Sequence, residues 1–256
     1  MQRSQMTVRE YRQRSRGMTV REHREKLLQR DLSLEALRFG KKRDLRPDGY
    51  GFVPIERCAS IQPHAVPGPW IVAGLGPSLM DQDTLPSRAR RVPVVGVNDI
   101  ERWMPVDHLM VVDQVEKFAP ERVNAIVGAS APHKWLMRDW PGVDPARARY
   151  MRVQKPTSQR LDQPILDTDL LYHNHTTVVP AVHLAYRLGA TAIGVIGCDI
   201  IDHHLADRIY EIDWAFNALR FELALRGIRL VNLTVVSRLV SMEKVHLQEW
   251  LDAVAA

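Results

Sequence analysis

The chain has 256 residues, 45% of them hydrophobic, 25% charged and 7% aromatic, with a formal net charge of +5. That composition belongs to a folded protein with a real core and excludes a disordered or fibrous chain. No apolar run approaches the roughly 20 residues of a membrane span, and MQRSQMTVREYRQRSRG at the start lacks the apolar stretch of a secretory signal.

Charge is uneven along the chain. Residues 1–46 hold 14 Lys/Arg against 6 Asp/Glu, and the remainder holds 21 against 24. The basic character therefore belongs to an N-terminal arm, either a handle for nucleic acid or another polyanion, or a solvated helical face. Thr7-Val8-Arg9-Glu10 returns as Thr19-Val20-Arg21-Glu22, each copy after a methionine, Met6 and Met18. One repeat of 12 residues is too little for a solenoid; it reads as a short helical duplication or as a second translation start. Loosely helical spacing of Val20, Leu27, Leu28, Leu34 and Leu37 predicts a helical arm, with a partly disordered leader as the alternative. Residues 47–69, with Pro47, Gly49, Gly51, Pro54, Pro63, Pro67, Gly68 and Pro69, read as a linker, and an α/β domain is expected over 70–256.

Within that domain apolar runs alternate with helical stretches. Strands are expected at 70–73, 92–97, 109–112, 192–196 and 228–231, with weaker ones at 133–137 and 150–153; helices are expected at 178–188, 205–226 and 242–254. Continuous rather than alternating apolar runs suit strands covered on both faces. Strands alternating with helices give a parallel sheet with right-handed crossovers. In such a sheet ligands bind outside the carboxyl ends of the strands. Those ends carry Gly74, Gly76, Pro77 and Ser78, then Asn98 and Asp99, Asp113, Asp199 and Asn232. One such end is ordinary loop chemistry; several on one sheet edge predict a binding site.

Gly74-Leu75-Gly76-Pro77-Ser78 is a glycine-containing strand-to-helix turn, expected to let backbone approach a phosphate. No Gly-Lys-Ser/Thr follows, so it is not a Walker A loop, and the third glycine of the dinucleotide fingerprint is absent. Thr176 or Thr177 is a candidate cap for the helix at 178–188, with Pro180 in its first turn, and that helix start can hold an anion. His173 and His175 are read as part of a polar loop, since two histidines at this spacing do not make a zinc site. No metal site is expected elsewhere; Cys58 and Cys198 fit no metal spacing and read as free thiols in a reducing cytoplasm. Asp199 ends the strongest strand, and Asp202, His203 and His204 follow. His203 or His204 is the candidate general base, and Asp199 can orient a histidine, take a ribose hydroxyl or hold Mg²⁺ through water.

Taken together, Ile71-Val72-Ala73-Gly74-Leu75-Gly76-Pro77-Ser78-Leu79, Val97-Asn98, Asp113, Thr176-Thr177, Ile196-Gly197-Cys198-Asp199 and Asn232-Leu233-Thr234 with Ser237-Arg238-Leu239 resemble one superfamily. It contains bacterial sialyltransferases, flagellin-modifying glycosyltransferase-like proteins and archaeal 6-hydroxymethylpterin diphosphokinases; many viral proteins of unassigned activity look similar. The resemblance covers roughly 70–245. It implies an open, mostly parallel Rossmann-like sheet with helices on both faces. It implies that Gly74–Ser78 and Asn98 contact the nucleotide, that Thr176 and Thr177 lie near its phosphates, and that Asp199 lies in the cleft. Leu75 stands where the sialyltransferases have a polar residue, and His203 and His204 follow the strand more closely than their catalytic histidine does. The expectation is a transferase using a nucleotide-sugar donor, with Mg²⁺ compatible but not required, and an acceptor that can be a modified nucleic-acid base. The alternatives are an ATP- and Mg²⁺-dependent diphosphokinase using Asp113 and Asp199, and a non-catalytic nucleic-acid-binding protein.

Overall fold

The computed structural model describes residues 57–61, 67–79, 92–154, 165–167, 170–200 and 206–255. The basic arm at 1–46, most of the 47–69 stretch, and Asp202, His203 and His204 lie outside the described residues.

Eight strands form the main sheet: β1 (Gly68–Ala73), β2 (Val94–Val97), β3 (His108–Val111), β4 (His133–Leu136), β5 (Ala148–Tyr150), β8 (Ala190–Ile196), β9 (Arg229–Asn232) and β10 (Glu243–Lys244). Their order is β10-β9-β8-β1-β2-β3-β4-β5, and each pairing is parallel. β6 (Val153–Gln154) and β7 (Leu171–Tyr172) form a separate parallel pair. The expected open α/β sheet is therefore present. No helix of the described residues is long and apolar enough to cross a membrane.

The continuous apolar runs have the predicted consequence: both faces of the sheet are buried. On β1, Trp70 and Val72 pack into one core and Ile71 and Ala73 into the other. Helices α2 (Val178–Arg187) and α3 (Ile209–Ala224) cover the first face, contributing Val179, Val182, Ile212 and Phe216. Helices α1 (Pro120–Gly128) and α4 (Leu247–Ala255) cover the second with Ile126, Leu247, Trp250 and Leu251. Gly227, at φ 74°, ends the α3 region, with Ile228 N–H returning to the Leu223 carbonyl.

Several boundaries differ from the sequence expectation. The helix placed at 205–226 is α3, Ile209–Ala224, preceded by a 3₁₀ turn at Ala206–Arg208. The helix placed at 242–254 begins at Leu247, because Glu243–Lys244 pairs with β9 as an edge strand. The run at 150–153 divides between β5 and β6. Helix α1 was not expected: only Ile126 of its nine residues is fully buried, so it carries little apolar signal. Its end is capped from the next strand by the buried Lys134, whose Nζ donates to the Ile126 and Val127 carbonyls at 3.1 and 2.6 Å. Part of the stretch read as linker is attached to the sheet. Cys58 bridges Tyr150 of β5, Ala59 N–H donates to the Tyr150 carbonyl at 2.8 Å, and Arg57 pairs with Asp139 at 2.8 Å.

Candidate functional site

The topology reverses at β1. From there the chain builds outward through β2 to β5, then returns to build the other side from β8. A crevice at the carboxyl end of a parallel sheet, at such a reversal, is where α/β folds bind ligands. Because every strand is parallel, α1, α2 and α3 all open at that same edge. The loops meeting there are Gly74–Ser78 after β1, Gly197–Ile200 after β8, and Leu233–Arg238 after β9.

These loops are packed directly on one another. Gly74 N–H donates to the Ile196 carbonyl at 2.8 Å and Gly76 N–H to the Gly197 carbonyl at 2.6 Å. A Cβ on Gly74 would collide with the Gly197 carbonyl oxygen, and one on Gly76 would lie 2.6 Å from Asp199 Oδ2 and 2.7 Å from that carbonyl. Gly197 takes φ 66°, and a Cβ there would lie 2.5 Å from the Gly74 oxygen. The glycines thus let two strand-end loops approach each other backbone to backbone.

Asp199 fastens this contact. It is 1% exposed. Its Oδ2 accepts the Ser78 N–H at 2.7 Å and its Oδ1 accepts the Ser78 hydroxyl at 2.6 Å. Ser78 Oγ also lies 3.1 Å from Thr234 Oγ1, which accepts Gly197 N–H at 3.1 Å. Asn232 Oδ1 accepts Thr234 N–H, Ser237 Oγ donates to the Cys198 carbonyl, and Arg238 N–H donates to the Asp199 carbonyl at 3.0 Å. So three loops are tied into one rigid floor. Thr234 is central to it; the Asn-Leu-Thr ending of β9 was visible in sequence, but not the partner of its hydroxyl.

The edge also concentrates backbone strain. Among the described residues, the non-glycine positions with positive φ are Asn98 (56°), His175 (56°) and Ile200 (54°). All three lie on carboxyl-edge loops, after β2, before α2 and after β8. Such conformations cost of order 1–3 kcal/mol each and cluster at functional sites. Asn98 also buries its Oδ1 without a hydrogen-bond partner among the described residues. Helix α2 opens beside β1: Val178 Cγ2 would be 3.2 Å from a Cβ on Gly74. Thr176 caps this opening, its Oγ1 accepting Val178 N–H and its carbonyl accepting Val179 N–H, both at 3.3 Å, whereas the buried Thr177 makes no side-chain cap.

The loop before α2 is held from α3. His175 Nε2 lies 3.2 Å from Glu211 Oε2, and Arg208 Nη1 lies 3.3 Å from His175 Nδ1 and 3.5 Å from the Glu211 carboxylate. Asn174 Nδ2 donates to the Glu211 carbonyl at 2.9 Å. Neither Glu211 nor Arg208 was singled out in the sequence, because nothing in a helix's first turn tells which loop it will meet.

Further along the edge, Asp113 pairs with Lys117 at 2.7 Å. It follows β3, three strand positions from β8, hence roughly 14 Å from Asp199's loop. Asp113 and Asp199 are each engaged by other groups and do not form a shared cation site; among the described residues no cluster of three or more His, Cys, Asp or Glu is arranged to hold a metal. Asp99 is buried at the end of β2. Burial works to raise its pKa, but the Arg122 guanidinium at 2.6 Å, helped by Arg102, outweighs this and holds it below its ordinary 3.8. Burial pushes the Cys198 thiol well up, so it is inert.

No family model and no curated protein matches the chain. Among solved structures it is similar to the MAf glycosyltransferase from Magnetospirillum magneticum AMB-1, with a TM-score of 0.51 and 13% identity over 77% of this chain and 38% of that one. The chain thus spans less than two fifths of that protein's length, and at this identity the likeness is one of fold. The sialyltransferase CstII from Campylobacter jejuni, solved with the substrate analogue CMP-3FNeuAc, matches at a TM-score of 0.44 and 15% identity over 69% of this chain and 84% of that one. The likeness in fold is to a glycosyltransferase structure.

Proposed function

We propose that the chain is a transferase that takes a nucleotide-activated donor, a nucleotide sugar, at the carboxyl edge around β1 and β8 and passes the sugar to an acceptor hydroxyl. The observation that carries this reading is that Asn98, His175 and Ile200, all at positive φ, lie on loops of the same sheet edge as the bonded Gly74, Gly76, Pro77, Ser78, Asp199 and Thr234. Strain held at three loops around one topological reversal is the mark of a pre-organised site. The fold-level likeness to a glycosyltransferase agrees with it.

In this reading Asp199 positions the loops and does not touch the donor, since it is buried beneath them with each oxygen bonded to Ser78. Asn98 offers its unpaired Oδ1 to a hydroxyl or N–H of the nucleoside. Thr176 and Thr177, at the start of the ten-residue α2, lie at the positive end of its dipole, where the phosphates would sit. The acceptor oxygen attacks the anomeric carbon. The bond from that carbon to the phosphate oxygen breaks, its electron pair leaves with the phosphate, and the acceptor proton passes to a base. His203 or His204 remains the proposed base. An acceptor of polyanionic character, such as a modified nucleic-acid base, would be held by residues 1–46. The engaged and separated Asp113 and Asp199 speak against the magnesium-dependent diphosphokinase.

The test is a thermal-shift screen of the full chain against nucleotides and nucleotide sugars. A ligand at 100 times its Kd adds about 2.7 kcal/mol, so a binder raises Tm by several degrees. No shift with any nucleotide at millimolar concentration, together with salt-sensitive binding to DNA, would transfer the function to nucleic-acid binding.

A further inference from the structure

The loop expected to cradle phosphate has little left to offer an anion. Of the backbone donors from Gly74 to Leu79, Gly74 serves Ile196, Gly76 serves Gly197, Ser78 serves Asp199 and Leu79 serves Gly76; Pro77 has none, so Leu75 alone is left. At the start of α2, Val178 and Val179 N–H both turn to Thr176, and Pro180 has no N–H. Beneath the edge lies a buried carboxylate, Asp199. A phosphate brought against the first loop meets one uncommitted backbone N–H, that of Leu75, and a negative charge below it, which favours a side-chain cation as its partner.

The cations of the surrounding loops are mostly committed. Arg208 is taken by His175 and Glu211. Lys244 donates to the Val235 and Ser237 carbonyls at 3.0 and 2.6 Å. Arg102 and Arg122 are taken by Asp99, and Lys117 by Asp113. Arg238 differs. Its side chain is exposed and, among the described residues, makes no hydrogen bond or ion pair, while its backbone is fixed to the reversal point. Its N–H bonds the Asp199 carbonyl, Ser237 Oγ bonds the Cys198 carbonyl on one side, and Leu239 on the other is fully buried. An anchored Cα with an uncommitted guanidinium is the arrangement of a residue that waits for an anion, and a guanidinium matches two phosphate oxygens in one plane.

We infer that Arg238 binds the phosphate of the nucleotide and stays on it as it leaves. This rests on the reading of the edge as a donor site. When the carbon–oxygen bond of the donor breaks, the electron pair moves onto the phosphate oxygen; the guanidinium faces that added charge, so its contribution grows as the bond opens.

The experiment compares full-length wild type, Arg238→Gln and Arg238→Lys by calorimetric titration with AMP, CMP, GMP, UMP, the four corresponding diphosphates and the four nucleosides. Wild type should bind at least one nucleotide more than tenfold tighter than its nucleoside. Arg238→Gln should lose at least tenfold in affinity for that nucleotide with the nucleoside unchanged, and Arg238→Lys should fall between. An unliganded Tm equal to wild type shows that the variants are folded, as expected for an exposed side chain. If the nucleotide-to-nucleoside ratio is the same in wild type and Arg238→Gln, the role given to Arg238 is overturned while the donor site stands. If wild type binds no nucleotide, both fall.

Discussion

Replacing Asp199 separates a floor-forming carboxylate from one that merely lines a cleft. Asp199→Ala strips partners from two buried donors, the Ser78 N–H and the Ser78 hydroxyl, which now sit 2.7 and 2.6 Å from carboxylate oxygens. A hydrogen bond to a charged group contributes about 1.5–3 kcal/mol, and an orphaned donor adds desolvation cost. The hydroxyl can turn to Thr234 Oγ1 at 3.1 Å, which recovers part of this. The net expectation is a loss of about 3–5 kcal/mol for Asp199→Ala and about 1–3 kcal/mol for Asp199→Asn, whose amide keeps one acceptor. For a unit of this size each kcal/mol moves Tm by roughly 2–4 °C. Urea denaturation followed by tryptophan fluorescence measures it, with the midpoint falling at constant m. A cycle with Ser78→Ala should give a coupling of about 1–3 kcal/mol. If Asp199→Ala lies within about 0.5 kcal/mol of wild type and shows no coupling to Ser78, the floor is not held by this pair and the reasoning fails.

His175→Gly relieves a left-handed residue but gives up the Glu211 contact, so stability should stay within about 1 kcal/mol of wild type, while donor affinity falls because the loop before α2 is freed; a loss of stability above about 2 kcal/mol by urea titration would make His175 a structural residue. Asp99 has a depressed folded pKa; its contribution is complete above the unfolded value near 3.9 and fades as pH falls through the folded one. Asp99→Asn should therefore cost about 1–3 kcal/mol at pH 7 and flatten the fall in urea midpoint below pH 4, and an unchanged acid limb counts against the Arg122 pairing. Removing residues 1–46 should leave donor binding intact, since every strand described lies beyond residue 67, and should flatten the salt dependence of any nucleic-acid binding. An insoluble truncation, or an unchanged slope, goes against that division of labour.

The sheet was legible because runs such as Trp70–Ala73 and Ala192–Ile196 are apolar without a charged or hydroxyl-bearing residue, which is what burial on both faces requires. Helix α1 and strand β10 were not, since PERVNAIVG buries one side chain deeply and Glu243–Lys244 buries none. That the candidate residues share one edge followed from topology: parallel strands bring Gly74, Asn98, Asp199 and Asn232 there whatever the loops do. How those residues are occupied did not follow. Ser78 reaches Asp199 across 121 residues and Thr234 across 156, and no local pattern encodes such pairings. The two glycines of the first loop looked like room for a phosphate; the space is filled by Gly197 and Asp199. His175 and Glu211 meet only because α2 and α3 pack on the same face.

Hydrogen exchange of the full chain, with and without the nucleotide sugar that gives the largest thermal shift, tests the donor site most directly. Protection should rise in peptides covering 74–79, 98–99, 174–178, 197–200 and 234–238, and stay unchanged in those covering the amino edge at 108 and 133. Protection confined to the amino edge, or to none of these loops at saturating ligand, would contradict a donor site at the carboxyl ends of β1 and β8.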